Sequence, residues 1–209
     1  VEFLKSALKD KYDGLRNLTI GKLDLKKENV RKAVESTLAD LAKNDPKRPV
    51  KAAAISRLGE YENPAYADIF KKAINDSSYT VAGNALEALA TIDPDAALAE
   101  AKRLSNEESS GDLADAITSI LIESGDDSYA VKILERFEDM PLSQGKFNLL
   151  QSIGKFLEKT KDNTIFKRGV DDIVAFRDAI PEALQGQTNP FINGILLKGL
   201  ATKKKDAGA

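Results

Sequence analysis

Histidine, cysteine and tryptophan are all absent from this 209-residue chain, and methionine occurs once. Without His and Cys the chain lacks the N and S ligands that zinc prefers, which excludes a structural zinc site. The lack of His also removes the side chain that most often serves as general acid or base near neutral pH. Carboxylates, Lys and Tyr are left for such work. The absence of Cys rules out a disulfide framework and leaves the compartment open. Long apolar runs are missing as well. The longest, Ile120-Leu121-Ile122 and Ile195-Leu196-Leu197, fall far short of the ~18 residues of a membrane-spanning helix. Nor does the start (Val1, Glu2, Phe3, Leu4, Lys5) read as a signal peptide. It begins at Val rather than Met, which suggests a processed or excised piece of a longer chain.

What is present is balanced. Lys plus Arg number 31 and Asp plus Glu 33, a net charge of −2. That gives no electrostatic reason to expect nucleic acid or an anionic membrane as partner. Hydrophobic residues make up 42%, a globular composition. A chain of this length buries roughly 70% of the surface that its unfolded form exposes.

Apolar residues recur at helical spacing almost throughout. Val30, Val34, Leu38 and Leu41 form one stripe, closed by Asp45-Pro46. Asp93-Pro94 places an N-cap before Pro at the first helical position. Weaker starts lie at Ser110, Asp127 and Ser143, and Asn63-Pro64 closes one helix and opens the next. The reading is about eleven helices, joined by short turns that make neighbours antiparallel.

The helices repeat. The window Val50…Ala54-Ile55…Leu58-Gly59 matches Val81…Ala85-Leu86…Leu89-Ala90 at an offset of 31, and then Asp112…Ala116-Ile117…Ile120-Leu121. A looser copy stands at Leu149-Leu150…Ile153-Gly154. Tyr66-Ala67…Phe70…Ala73 likewise overlays Ala97-Leu98…Ala101…Leu104. A period near 31 is two short helices and two turns, a pair that buries its apolar stripe only by stacking on its neighbours. The expected fold is therefore all-α: a HEAT-like α-α superhelix, a right-handed solenoid of antiparallel helix pairs. Residues 1–202 form a single helical-repeat domain, and 203–209 a flexible C-terminal tail. Asp45 and Asp76 each stand five residues before the Val that follows them. With Lys51 behind the first of them, this resembles the HEAT-repeat pattern of an Asp in the intra-repeat turn followed by Val and a basic residue. The expected role is capping of helix N–H groups. The second copy has Ala82 in place of the basic residue, and the third lacks the Asp.

Other motifs read as structural. Gly14 and Gly21-Lys22 miss the phosphate-loop spacing, and Leu23 follows where Ser or Thr is required. Asp126-Asp127 and Asp171-Asp172 read as helix starts rather than cation sites. Glu107, Glu108, Asp112 and Asp115 read as acids meeting a helix dipole rather than a general acid/base pair. The sequons at Asn17 and Asn75 fall within helical packing. Lys203-Lys204-Lys205 reads as a solvated terminus. Tyr61, Tyr66, Tyr79 and Tyr129 read as half-buried packing with the hydroxyl in water. Arg57 and Arg103 either hold a peptide carboxylate or pair with a nearby acid. No catalytic, cofactor-binding or metal-ligating residue is assigned.

The stretch Lys11-Tyr12-Asp13-Gly14-Leu15-Arg16, the long helix after Glu28 and the pair array from Val50 to Phe137 together resemble a known domain. It is the C-terminal helical-repeat domain of bacterial aminopeptidase N–like zinc metallopeptidases of the gluzincin class. The resemblance implies a non-catalytic domain that helps to enclose the peptide substrate channel. Its partners would be the catalytic domain of its own parent chain and, through the channel, the peptide. Zinc would belong to that other domain, with no cofactor in this chain. The competing reading is an autonomous HEAT-like scaffold that binds a protein or peptide in its concave groove.

Overall fold

Residues 1–124 and 126–206 are described by a computed structural model. They are helical from end to end, with twelve α-helices and no strand among them. Backbone contacts divide the chain into two compact units, Val1–Ile120 and Leu121–Ala209.

The first unit contains α1 (Glu2–Leu8), α2 (Asp13–Lys22), α3 (Glu28–Asn44), α4 (Arg48–Gly59), α5 (Ala67–Ala73), α6 (Tyr79–Ile92), α7 (Pro94–Leu104) and the first turns of α8 (Gly111–Ser124). Successive helices pack as pairs, and the second helix of each pair packs on the second helix of the next: α2 on α4, and α4 on α6. The aliphatic positions that mark the repeat point into this layer. Ala54, Ile55 and Leu58 of α4 and Ala85, Leu86 and Leu89 of α6 are all fully buried. Each such Ile or Leu contributes roughly 1.5–3 kcal/mol by leaving water. Small residues set the spacing between layers. A Cβ on Gly59 would meet Ala88 Cβ at 3.0 Å, and one on Gly83 would enter the backbone of Asp112 and Leu113 at the start of α8.

The second unit contains α9 (Ala130–Asp139), α10 (Gln144–Lys159), α11 (Asn163–Ala179) and α12 (Glu182–Asp206). Phe137 and Phe147 both meet the edge of Phe176, with ring centroids 5.3 and 5.5 Å apart. Lys146 lies against Phe137 and Phe176 and donates to the carbonyls of Met140 (2.7 Å) and Glu138 (3.3 Å). Those carbonyls lack helical partners at the end of α9, so the ammonium serves as their donor.

The start signals hold where a polar side chain reaches back to the helix. Asp93 accepts from the Ala96 N–H at the head of α7, and Ser143 from the Lys146 N–H at the head of α10. Asp126 rather than Asp127 caps the 3-10 turn before α9, accepting from the Ser128 N–H. Asp171 and Asp172 do not start a helix. They lie inside α11, whose cap is Asp162, accepting from the Thr164 and Ile165 N–H groups. α12 continues through Lys203, Lys204 and Lys205, which complement the negative end of its dipole. Residues 207–209 lie outside the described part.

Candidate functional site

The turn that joins the two helices of a pair is built the same way twice. Asp45 accepts from the Lys47 N–H and Asp76 from the Ser78 N–H, both at 2.9 Å, and each turn leads into the pair's second helix. The same carboxylates also reach the preceding repeat. Asp45 takes a two-pronged bond from Arg16 of α2, with Nε at 2.7 Å and Nη2 at 2.9 Å, and both side chains are almost wholly buried. The bond to Asp45 and the carboxylate's charge hold the Arg16 guanidinium above its ordinary value, outweighing burial. Asp76 faces Lys51 and Arg48 of α4, each at 3.5 Å. The ladder stops at the third step. Ala82 replaces the basic residue, and Glu107, 31 positions after Asp76, turns back to Arg103 at 3.0 Å. So the Asp expected to cap a helix instead closes the tight turn just before it, and also docks its repeat on the previous one.

One periodic signal escaped the sequence reading. Asn44, Asn75 and Asn106 recur at 31-residue intervals, each just before an acid of the turn. Each amide donates to the residue four back, at the end of its helix: Asn44 to Asp40 Oδ1, Asn75 to the Lys71 carbonyl, Asn106 to the Lys102 carbonyl. Aligning the copies on Asn followed by an acid, instead of on the aliphatic positions, finds this row.

Beside this ladder, α3, α4 and α5 leave an open groove of about 510 Å³. Its floor is apolar, with Ala42 and Ile69 buried and Ala73 half-buried, and the exposed Ala65 lies at its edge. Its rim is polar and carries Lys43, Lys51 and Lys72 with Asn44 and Asn75, against the carboxylates Asp68 and Asp76. A smaller hollow of about 300 Å³ lies on the far side of Asp76, where Glu107 and Glu108 stand with Tyr79 and Leu104. In the second unit, Val170 and Val174 of α11 and Leu196, Leu197 and Leu200 of α12 line an apolar groove of about 440 Å³.

The candidate residues settle mostly into structural roles. Arg57 pairs with Glu60 at 2.7 Å and donates to the carbonyls of Ile20 and Gly21 at the end of α2. Arg103 binds Glu100 and Glu107 and reaches Asn75. Two tyrosine hydroxyls are not in water. Tyr61 donates to the Arg31 carbonyl at 2.7 Å, beneath the Arg31 guanidinium, and Tyr66 donates to Glu35 at 2.6 Å. Burial first, then the neighbouring Glu35 carboxylate, pushes both phenols up to about 12. Of Tyr61, Tyr66, Tyr79 and Tyr129, Tyr79 is the most exposed. The acids Asp112 and Asp115 lie near Glu87 of α6. Desolvation there, then their like charges, raise the Glu87 carboxyl above its usual range. Among the described residues no group of three or more carboxylates is arranged to hold a metal ion. No described helix is long and apolar enough to cross a membrane.

In the second unit Asp172 Oδ2 is buried without a hydrogen-bond partner, 3.8 Å from Arg168 Nε. Burial, then the adjacent Glu138 carboxylate, raises the Asp172 carboxyl from 3.8 to about 6, against the opposing pull of Arg168. The folded state therefore holds a proton that the unfolded chain releases, so this contribution to stability is complete below about pH 4 and is lost as pH rises through about 6. Asp172→Asn should stabilise the chain by about 1–2 kcal/mol above pH 7, after discounting for solvent. The gain should vanish near pH 4. Urea midpoints of both proteins at the two pH values test this, and an equal gain at both would contradict it.

A family described as HEAT repeats matches residues 35–122, from within α3 to the end region of α8. No curated protein matches the sequence. Among solved structures, the complex of CpcE and CpcF of phycocyanin lyase from Nostoc sp. PCC7120 aligns over 93% of this chain and 94% of that chain, with 12% identity and a TM-score of 0.49. The helix pairs are thus HEAT-like, and the all-α repeat fold stands. The resemblance to aminopeptidase C-terminal domains does not. The pair array that suggested it is matched by HEAT repeats instead. The role beside a zinc peptidase's catalytic domain falls with it. The physical reason is that Ala and Leu at helical spacing recur in any stacked helix pair. The opening stretch also has a purely structural use here, because Arg16 donates to the carbonyls of Asp10 and Lys11 as well as to Asp45.

Proposed function

We propose that this chain is a HEAT-like scaffold that works by binding a protein or peptide against its stacked helix pairs. One observation carries the reading: the groove bounded by α3, α4 and α5 spans two successive repeats and combines an apolar floor with a rim of hydrogen-bonding side chains. Such a combination lets a peptide bury side chains while its polar groups stay bonded. The ladder around Asp45 and Asp76 holds the two repeats in register, so the groove is formed before a partner arrives, which lowers the ordering cost of binding. The internal pairing of Arg57, Arg103, Tyr61 and Tyr66 fits the same reading, because these groups hold the scaffold and leave recognition to the rim.

A selection from a random peptide display library on the immobilised, folded chain tests the proposal. Enriched peptides should slow amide exchange in the turns around residues 43–51 and 72–78. Failure to enrich any sequence over the starting library, or protection scattered over the whole chain, would refute it.

A further inference from the structure

Resting on that scaffold reading, we propose that the groove takes an acidic peptide segment, whose carboxylates are received by Lys43, Lys51 and Lys72. Three observations on separate elements converge on it. First, Lys43 closes α3 and Lys72 closes α5, and among the described residues neither has a carboxylate within ion-pair distance. Each complements the carbonyl end of its own helix, which favours the charged form without supplying a counter-ion. Second, α4 opens against its own dipole. Its first turn holds no acid, no side chain caps it, and Lys47, Arg48 and Lys51 stand there instead. Positive charge at the positive end of a helix is locally unfavourable by some tenths of a kcal/mol per residue. Asp45 meets the Lys47 N–H there, and the side chains of Arg48 and Lys51 share Asp76 at 3.5 Å. Third, the sign of charge changes along the stack. α4 carries Arg48, Lys51 and Arg57 and no acid, whereas the head of α8 carries Asp112 and Asp115 and no base. With three lysines against Asp68 and Asp76, the groove is therefore a local net-positive feature in a chain of net charge −2, and not the edge of a general positive field.

The occupant is read from this set. Asn44 and Asn75 on the rim each have a second amide N–H, beyond the one bonded to their own helix, to offer an extended backbone, and Ala42, Ile69 and Ala73 accept small apolar side chains between the acids. Lysines meet carboxylates as mobile point charges, so each contact is weak and salt-sensitive. Affinity accumulates from several acids in one segment.

Fluorescence anisotropy of a labelled hexaglutamate with the full chain tests the inference. Its affinity should fall as salt is raised. It should drop roughly tenfold in the Lys43→Glu/Lys72→Glu double variant, both positions being exposed rim charges. The Lys22→Glu/Lys26→Glu variant, which changes net charge equally on exposed positions outside the groove, should bind as the parent does. Absence of hexaglutamate binding, equal loss in both double variants, or stronger binding of a single-stranded oligonucleotide of matched charge would each overturn it. Peptide display separates the two levels of the reading. Enrichment of neutral or basic peptides at this groove would sink the acidic ligand while leaving the scaffold standing.

Discussion

Truncating Asp45 to alanine should lower the stability of the chain by about 3–5 kcal/mol, as expected when one partner of a buried ion pair is removed. The cost arises in what remains. Arg16 would keep its guanidinium in a nearly dry site between α2 and the α3–α4 turn, with only the Asp10 and Lys11 carbonyls to receive it. The Lys47 N–H would also lose its acceptor at the head of α4. Removing both charges in an Arg16→Met/Asp45→Leu variant should recover most of the loss, because apolar groups of similar volume do not need the pairing. Urea unfolding followed by far-ultraviolet circular dichroism gives both numbers. A single variant within 1 kcal/mol of the parent would show that the pair does not hold the first two repeats together.

Gly83→Ala should destabilise by about 3 kcal/mol or more, although alanine in an exposed helix ordinarily gains about 1 kcal/mol over glycine. A Cβ at this position would lie 2.5 Å from the Asp112 carbonyl carbon and 2.6 Å from the Leu113 nitrogen. Both are backbone atoms, so no side chain can turn aside, and α6 would have to move off the head of α8. Gly14→Ala is the matched control. It lies in α2 with nothing within 4 Å of the new methyl, and it should be neutral or slightly stabilising. If the two substitutions prove equal in thermal midpoint, the close approach of α6 to α8 is not real.

The polar architecture was harder to read than the apolar one. Ala54-Ile55-Leu58 and Ala85-Leu86-Leu89 stand out because burial restricts those positions to a few residue types, and the restriction repeats with the helix pair. The side-chain bonds between neighbouring repeats obey the same period. Arg16 to Asp45, Tyr61 to Arg31, Tyr66 to Glu35 and Asn84 to Ala52 join residues 29, 30, 31 and 32 apart. Even so, they could not be picked from the sequence. Dozens of charged and hydroxyl groups lie at such separations, and a pair reveals itself only when one register of stacking brings its two members within 3 Å. Asp171 and Asp172 show the reverse error. Paired acids suit a helix start, but Asp162 had already supplied the cap, and packing against α9 set Asp172 beside Glu138. The kinship inferred from the opening stretch failed for a related reason: helical periodicity reports that a helix stacks, not on whose behalf.

The amino-acid order by itself determined the all-helical class, the pairing of helices with a period near 31 and the identity of the core positions. These follow from spacing along the chain, and spacing is local. Only the tertiary structure decided that Arg16 is bound to Asp45 while, among the described residues, Lys43 and Lys72 have no carboxylate within ion-pair distance, that apolar side chains line the groove they share, and that one oxygen of Asp172 is left unbonded. Such outcomes depend on which groups the stacking brings together and which it seals from water. No residue carries that information alone.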